Sequence, residues 1–144
     1  MRLRTVLIAC ALALLAAFPS TAGAAQPVEG YRSADNRVGC VMYQGFNADG
    51  NAVKCGRRGS SRGLLLTGAG AARRATWRWP AKQLGSLFFR APPGQTLYLV
   101  GGTAKVQGDT HTLRCTFTRR SVRCFNGSGD GISVTGAGAR RIRA

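Results

Sequence analysis

Leu113-Arg114-Cys115-Thr116-Phe117-Thr118-Arg119-Arg120-Ser121-Val122-Arg123-Cys124-Phe125 is the stretch that decides the fold. Apolar and polar residues alternate on both sides of Arg119-Arg120, which is the period of a half-buried strand, a turn and a second strand. With the arginine pair at the tip, Thr118 faces Ser121, Phe117 faces Val122 and Cys115 faces Cys124. The cysteines then meet at a non-hydrogen-bonded position, where Cα atoms approach to about 4.5 Å and a disulfide can close. Leu113, Cys115, Phe117, Val122 and Cys124 share one face; Arg114, Thr116, Thr118 and Arg123 share the other. Arg-Arg suits a two-residue type I′ turn poorly. Either that tip or a four-residue loop over 118–121 closes the hairpin, and the pairing is the same in both.

A second pair upstream behaves in the same way. Val38, Cys40 and Met42 alternate on one side and Val53 and Cys55 on the other, with Asn47-Ala48-Asp49-Gly50-Asn51 between them as turn chemistry. Placing Cys40 opposite Cys55 sets Met42 against Val53 and leaves a loop over 45–50. Four cysteines allow three connectivities, of which strand geometry favours Cys40–Cys55 and Cys115–Cys124. Structural zinc would need closer ligand pairs than these, so no metal site is expected.

Short strand-like runs continue through Gly63–Thr67, Ala75–Trp79, Thr96–Val100, Thr103–Val106 and Ile132–Thr135, separated by Gly- or Pro-containing breaks. This pattern predicts an all-β domain, a mainly antiparallel small sandwich or barrel with two disulfides. One short helix is the most it leaves room for: Ala81, Leu84, Leu87 and Phe88 follow Pro80 at near-helical spacing, although Gly85 and Phe88-Phe89 oppose it. Thr67-Gly68-Ala69-Gly70-Ala71 recurs as Thr135-Gly136-Ala137-Gly138-Ala139, each followed by an arginine pair, Arg73-Arg74 and Arg140-Arg141. The recurrence reads either as two related halves or as chance in an Ala-, Gly- and Arg-rich chain.

Ahead of the domain, Met1-Arg2-Leu3-Arg4 is a positive start, Thr5–Phe18 is uncharged, and small residues follow up to Ala25. This is the form of an N-terminal signal peptide over 1–24, cleaved after Ala24 or, as the near alternative, after Ala25. The apolar run falls short of the about 20 residues a membrane helix needs. Cys10 lies early in that run, not at its end as a lipoprotein box requires, and departs with the leader. Residues 25–34 read as a flexible mature N-terminus, and 35–144 as a single disulfide-stapled β domain. Such a product is expected to be secreted or envelope-associated, outside the cytosol, where disulfides persist. No membrane span remains after cleavage.

The chain carries 21 Lys and Arg against five acids, a formal charge of +16, of which Arg2 and Arg4 leave with the leader. Guanidinium forks grip phosphate and carboxylate and stay charged at every usable pH. A field of this sign attracts polyanions. For an exported chain those are cell-wall or other anionic envelope polymers, or acidic secreted proteins, and not nucleic acid. Arg114, Arg119, Arg120 and Arg123 gather on the outer face of the hairpin, and Arg140 and Arg141 add to them near the C-terminus; these are the candidate anion-binding residues. In a strand, Trp77-Arg78-Trp79 would set both indoles on one face. That face is either core or an aromatic surface for sugar rings, ringed by Arg73, Arg74 and Lys82.

No catalytic constellation is legible. His111 is the sole histidine, beside Asp109, and no nucleophile stands out to partner it. Glu29, Asp35, Asp49, Asp109 and Asp130 are scattered, so neither a two-carboxylate hydrolase nor a calcium site assembles. Asn126-Gly127-Ser128 has the form of a glycosylation sequon and equally of a turn. The expected protein is therefore not an enzyme and has no cofactor. It is a basic binding or envelope-associated module, or alternatively a secreted inhibitor or protein-interaction domain presenting a stapled loop such as 45–50 or 56–63.

Val38-Gly39-Cys40, Val53-Lys54-Cys55, Leu113-Arg114-Cys115-Thr116, Val122-Arg123-Cys124-Phe125-Asn126 and Gly129–Val134 together resemble a family of small exported actinobacterial proteins carrying a four-cysteine domain of unknown function. The match is best over residues 97–135. The resemblance implies an exported β domain of actinobacterial source and implies no activity. Where the family commonly has Gly-His-Gly-Phe, this chain has Gly129-Asp130-Gly131-Ile132, so a role resting on that histidine does not carry over.

Overall fold

In the computed structural model, which describes residues 26–44, 51–99 and 113–144, the described residues form eleven strands in two sheets. The first five are β1 (Gln26–Arg32), β2 (Val38–Gln44), β3 (Asn51–Arg57), β4 (Arg62–Thr67) and β5 (Arg73–Thr76). A one-turn helix α1 (Ala81–Leu84) and a 3-10 turn over Gly85–Leu87 lead into β6 (Phe88–Arg90). Then come β7 (Thr96–Leu99), β8 (Leu113–Phe117), β9 (Ser121–Phe125), β10 (Asp130–Thr135) and β11 (Ala139–Arg143). The order is β5-β4-β3-β2-β1-β6 in the first sheet and β11-β10-β9-β8-β7 in the second. Every pair is antiparallel except β1 with β6.

Both stapled hairpins take the expected register. Cys40 faces Cys55 and Met42 faces Val53 on β2–β3; Cys115 faces Cys124 and Phe117 faces Val122 on β8–β9. Both disulfides are formed, with Cα atoms 4.1 and 4.0 Å apart, the close approach of non-hydrogen-bonded pairs. At the tip, Thr118 N–H donates to Ser121 O, and the Thr118 hydroxyl accepts from the amides of Arg120 and Ser121. Neither tip arginine has a positive φ, so the turn is not type I′; the threonine side chain closes it instead.

The inner faces of the two sheets pack into one core. Val38, Met42, Val53 and Leu66 come from the first sheet and Leu113, Phe117, Val122 and Ile132 from the second, all 0–2 % exposed. The disulfides meet in the middle of it, with Cys55 Sγ 3.8 Å from Cys124 Sγ. Three of the sulfurs, of Cys40, Cys55 and Cys124, lie within 4.8 Å of one another because the two staples stack across the sandwich.

The recurring pentapeptide falls at equivalent places. Thr67–Ala71 joins β4 to the edge strand β5, and Thr135–Ala139 leads from β10 into the edge strand β11. Apart from β6, each sheet lays out a stapled hairpin, a central strand, the Thr-Gly-Ala-Gly-Ala turn and an arginine-bearing edge in the same order. Equivalence extends the similarity upstream, from Gly63-Leu64-Leu65-Leu66 to Gly131-Ile132-Ser133-Val134. The two halves share one plan.

Two expectations need correction. The segment 25–34 is not a flexible start: Gln26–Arg32 is β1, paired on both sides by β2 and β6. Its sequence lacks the alternation that marks a half-buried strand, and tertiary pairing holds it extended all the same. Trp77-Arg78-Trp79 is not part of a strand, since β5 ends at Thr76. The one short helix expected after Pro80 is present: Ala81–Leu84 is followed by a 3-10 turn over Gly85–Leu87, where Gly85 adopts a φ of 53°, and Phe88 passes into β6. The expected strand over 103–106, the loop over 45–50 and the Asp109–His111 neighbourhood lie outside the described residues, as does the leader.

Asn126 fastens the two halves together. Its buried side-chain amide donates to Thr67 O (3.1 Å) and Gly70 O (2.8 Å), in the first sheet's edge turn. Its Oδ1 accepts from the amides of Ser128 and Asp130, both at 3.0 Å, shaping the β9–β10 turn. The sequon-like triplet is therefore a turn with its side chain turned inward. Asn126→Ala is expected to lower stability by about 2–3 kcal/mol, because one buried and three partly buried hydrogen bonds are lost together. Asn126→Asp is expected to rescue little, since it sets a carboxylate against two carbonyl oxygens. Urea unfolding followed by circular dichroism measures both.

Candidate anion-binding surface

The outer face of the second sheet follows from its registers. Thr96 faces Thr116, Thr116 faces Arg123, Arg123 faces Ser133 and Ser133 faces Arg140, giving one row across five strands. One step along, Arg114 faces Phe125, Phe125 faces Gly131 and Gly131 faces Ile142. Side chains two residues apart on a strand share a face, so both rows point the same way. Arg123 and Arg140 are separated by one strand, hence about 10 Å at the backbone. Arg114 sits diagonal to Arg123, about 7–8 Å away.

Phe125 organises this face. Its ring lies over Gly131, where an added Cβ would come within 2.6 Å of Phe125 Cδ1, and the Arg114 guanidinium sits 5.6 Å from the ring centroid. Arg114, Arg123 and Arg140 are exposed, Thr116 is half-buried beside them, and Ser133 is buried beneath. None of the three has a carboxylate partner among the described residues, whereas Arg143 pairs with Asp130 at 3.2 Å.

The remaining candidates separate. Arg119 and Arg120 are exposed at the hairpin tip, which is braced by a hydrogen bond from Asp35 N–H to Arg119 O. Arg141 faces Ile132, so it projects from the opposite side of β11 to Arg140 and does not join the row. Thr116 and Ser133, which put hydroxyls between the arginines, were missed from sequence. The alternation placed Thr116 on the right face, but only the β9–β10 register brings Ser133 to it.

The tryptophans make core, not an open aromatic surface. On the outer face of the first sheet, Gly39, Gly56 and Gly63 lie side by side across β2, β3 and β4. That row is a trough for indoles: a Cβ on Gly56 would fall 2.4 Å from Trp77 Cγ, and one on Gly39 would fall 3.0 Å from the six-membered ring of Trp79. Trp77 is 3 % exposed and its Nε1–H donates to Arg57 O at 2.9 Å. Trp79 is half-buried, edge-on to Trp77 and Phe88, with the Arg58 guanidinium 5.7 Å from its ring centroid. Val41, Leu84 and Phe88 complete this second cluster. At its margin, burial raises the Tyr43 phenol above its ordinary 10.0, so Lys54, 5.4 Å from the ring centroid, meets a neutral ring. Gly39 and Gly56 were the available signal, since glycines flanking the cysteines of a strand leave room for something to lie on it.

The fold and this face define a two-sheet, disulfide-stapled β sandwich with a cationic outer sheet. No family model, curated protein or solved structure matches the chain. Among the described residues no helix is long and apolar enough to cross a membrane.

Proposed function

We propose that the protein is an exported, non-enzymatic binding module that holds an anionic envelope polymer on the outer face of its second sheet. The observation that carries this reading is the row of Arg123, Ser133 and Arg140 with Arg114 beside it, cationic and free of carboxylate partners among the described residues. Arg119 and Arg120 extend the positive field at the tip. A stapled sheet presents these forks on a rigid support, which reduces the entropy lost when a polymer docks. Arginines on an edge strand also discourage pairing with a further strand, which accounts for Arg140 and Arg141 on β11 but not for Arg114 or Arg123 on inner strands.

Export is supported by the leader-like start and by the two disulfides. The resemblance over 97–135 supports the same compartment. N-terminal sequencing of the protein harvested from its own culture is expected to begin at Ala25 or Gln26.

The test is retention of the purified protein on isolated cell wall across a sodium chloride series. Retention at low salt and elution at moderate salt are expected, because salt at 0.1 M screens exposed charges from one another beyond about 10 Å and its ions compete for the arginines. Each arginine near an anionic surface contributes about 1 kcal/mol, so Arg114→Ala with Arg123→Ala and Arg140→Ala should weaken binding on the order of 100-fold. Retention that ignores salt, or a triple variant that binds like the parent, overturns the reading. A salt-insensitive stoichiometric complex with one secreted protein would favour an interaction domain instead.

A further inference from the structure

At one corner of the sandwich the inner faces of the sheets part and leave a cleft of about 610 Å³. Inner faces of a sandwich ordinarily carry apolar residues. Here the register puts Arg57 opposite Val38, Arg74 opposite Leu64, and Arg62 opposite Thr76, all on the inner side of the first sheet. Across the gap the second sheet offers only Gly138 and Ala139, so nothing fills the space between. The Arg57 guanidinium is held across it by donating to Gly136 O at 3.0 Å. Ser60 and Ser61 add hydroxyls at the turn, and no carboxylate lines the walls.

Packing does not account for three arginines lining one cleft whose walls carry no carboxylate. We propose that this cleft is a binding site for a phosphate dianion, carried as a monoester on a sugar or polyol unit. A tetrahedral dianion has enough oxygens to engage several guanidinium forks at once, and phosphate is the group arginine forks recognise together with carboxylate. The volume lies within the about 300–1,000 Å³ of small-molecule sites. It exceeds the need of a bare anion, and Leu64 and Ala139 give apolar wall for the carbons of the carrier. The site is separate from the outer face of the second sheet and does not rest on the polymer reading.

The experiment titrates the purified full chain with inorganic phosphate and, in parallel, with glycerol 1-phosphate, at constant ionic strength held with sodium chloride, following amide shifts by NMR. Saturable shifts at Ser60, Ser61 and Gly63 are expected. A tighter fit for the ester is expected, while equal affinity for the two overturns the assignment to an esterified unit. Arg62→Ala with Arg74→Ala, both exposed in the free protein, is expected to weaken binding at least about tenfold. The paired lysine variant, which keeps charge but loses the fork, should fall between parent and alanine variant. Thermal unfolding of each variant checks that the sandwich is intact. Shifts that fail to saturate, unchanged affinity in the Arg62/Arg74 alanine pair, or equal weakening by the Arg114/Arg123/Arg140 triple variant would overturn the proposal, since each means diffuse charge and not a built site.

Discussion

Trp77→Ala is expected to destabilise the domain by about 3–5 kcal/mol, the cost of truncating a fully buried large aromatic side chain. Trp77 is 3 % exposed, lies flat on the backbone of Gly56 and Gly63, and gives its indole N–H to Arg57 O. Truncation opens a cavity on the outer face of the first sheet and leaves Trp79 and Phe88 without their neighbour. Those rings stand edge to face at 5.2 Å and hold α1 and β6 against β1. The complementary change, Gly56→Val, starts from the other side of the contact: a Cβ there has no room, lying 2.4 Å from Trp77 Cγ. The two variants act on one contact, so their combination should cost clearly less than the sum of the singles. Guanidinium unfolding monitored by far-ultraviolet circular dichroism measures all three. A loss below about 1 kcal/mol for Trp77→Ala, the typical effect of an arbitrary substitution, would mean that the indole is not part of the folded core.

Removing either disulfide is the second large effect. Cys115→Ala with Cys124→Ala should cost about 2–5 kcal/mol, as for native disulfides of small domains, and removing both staples should leave the chain unfolded at 37 °C. The loops closed are short, with separations of 15 and 9 residues, so denatured-state entropy alone gives about 2.5–3 kcal/mol each. The sulfurs also fill the centre of the core at 0–1 % exposure, and their loss adds a cavity. Paired substitution is required. Cys40→Ala alone would free the Cys55 thiol 3.8 Å from Cys124 Sγ, and its thiolate can attack there, forming Cys55–Cys124 and releasing the Cys115 thiolate. Peptide mapping of that single variant is expected to show the cross-sheet bond. In the parent protein, a thiol reductant should react only as fast as the domain opens. Rapid reduction without loss of the circular dichroism signal would contradict the buried placement.

The parts legible from sequence were those set by local chemistry. Period-two alternation fixed the faces of β8 and β9, and a short loop fixed their register, so Cys115–Cys124 followed from counting residues. The same held for Cys40–Cys55. Where alternation was absent, inference failed. β1 reads Gln-Pro-Val-Glu-Gly-Tyr-Arg, and only its neighbours β2 and β6 make it a strand. Trp77-Arg78-Trp79 alternates and still leaves the sheet, because the glycine row offers two indoles more burial than a strand position would. Half of the candidate surface was visible: Arg114 and Arg123 share a hairpin face by count. Arg140 joined them, and Arg141 did not, through a strand register that connects residues far apart in the chain.

What the sequence determined by itself was the all-β class, the two staples, the excess of arginine and the absence of a legible catalytic set. Each of these depends on composition or on residues no further apart than the 15 positions between Cys40 and Cys55. Tertiary structure alone decided which arginines share a face, that Arg57, Arg62 and Arg74 line one cleft, and that Asn126 ties the β9–β10 turn to the β4–β5 turn. Those arrangements depend on how two separate sheets face each other. The energy that sets that angle comes from the whole buried core, including the stacked disulfides, and no short segment encodes it.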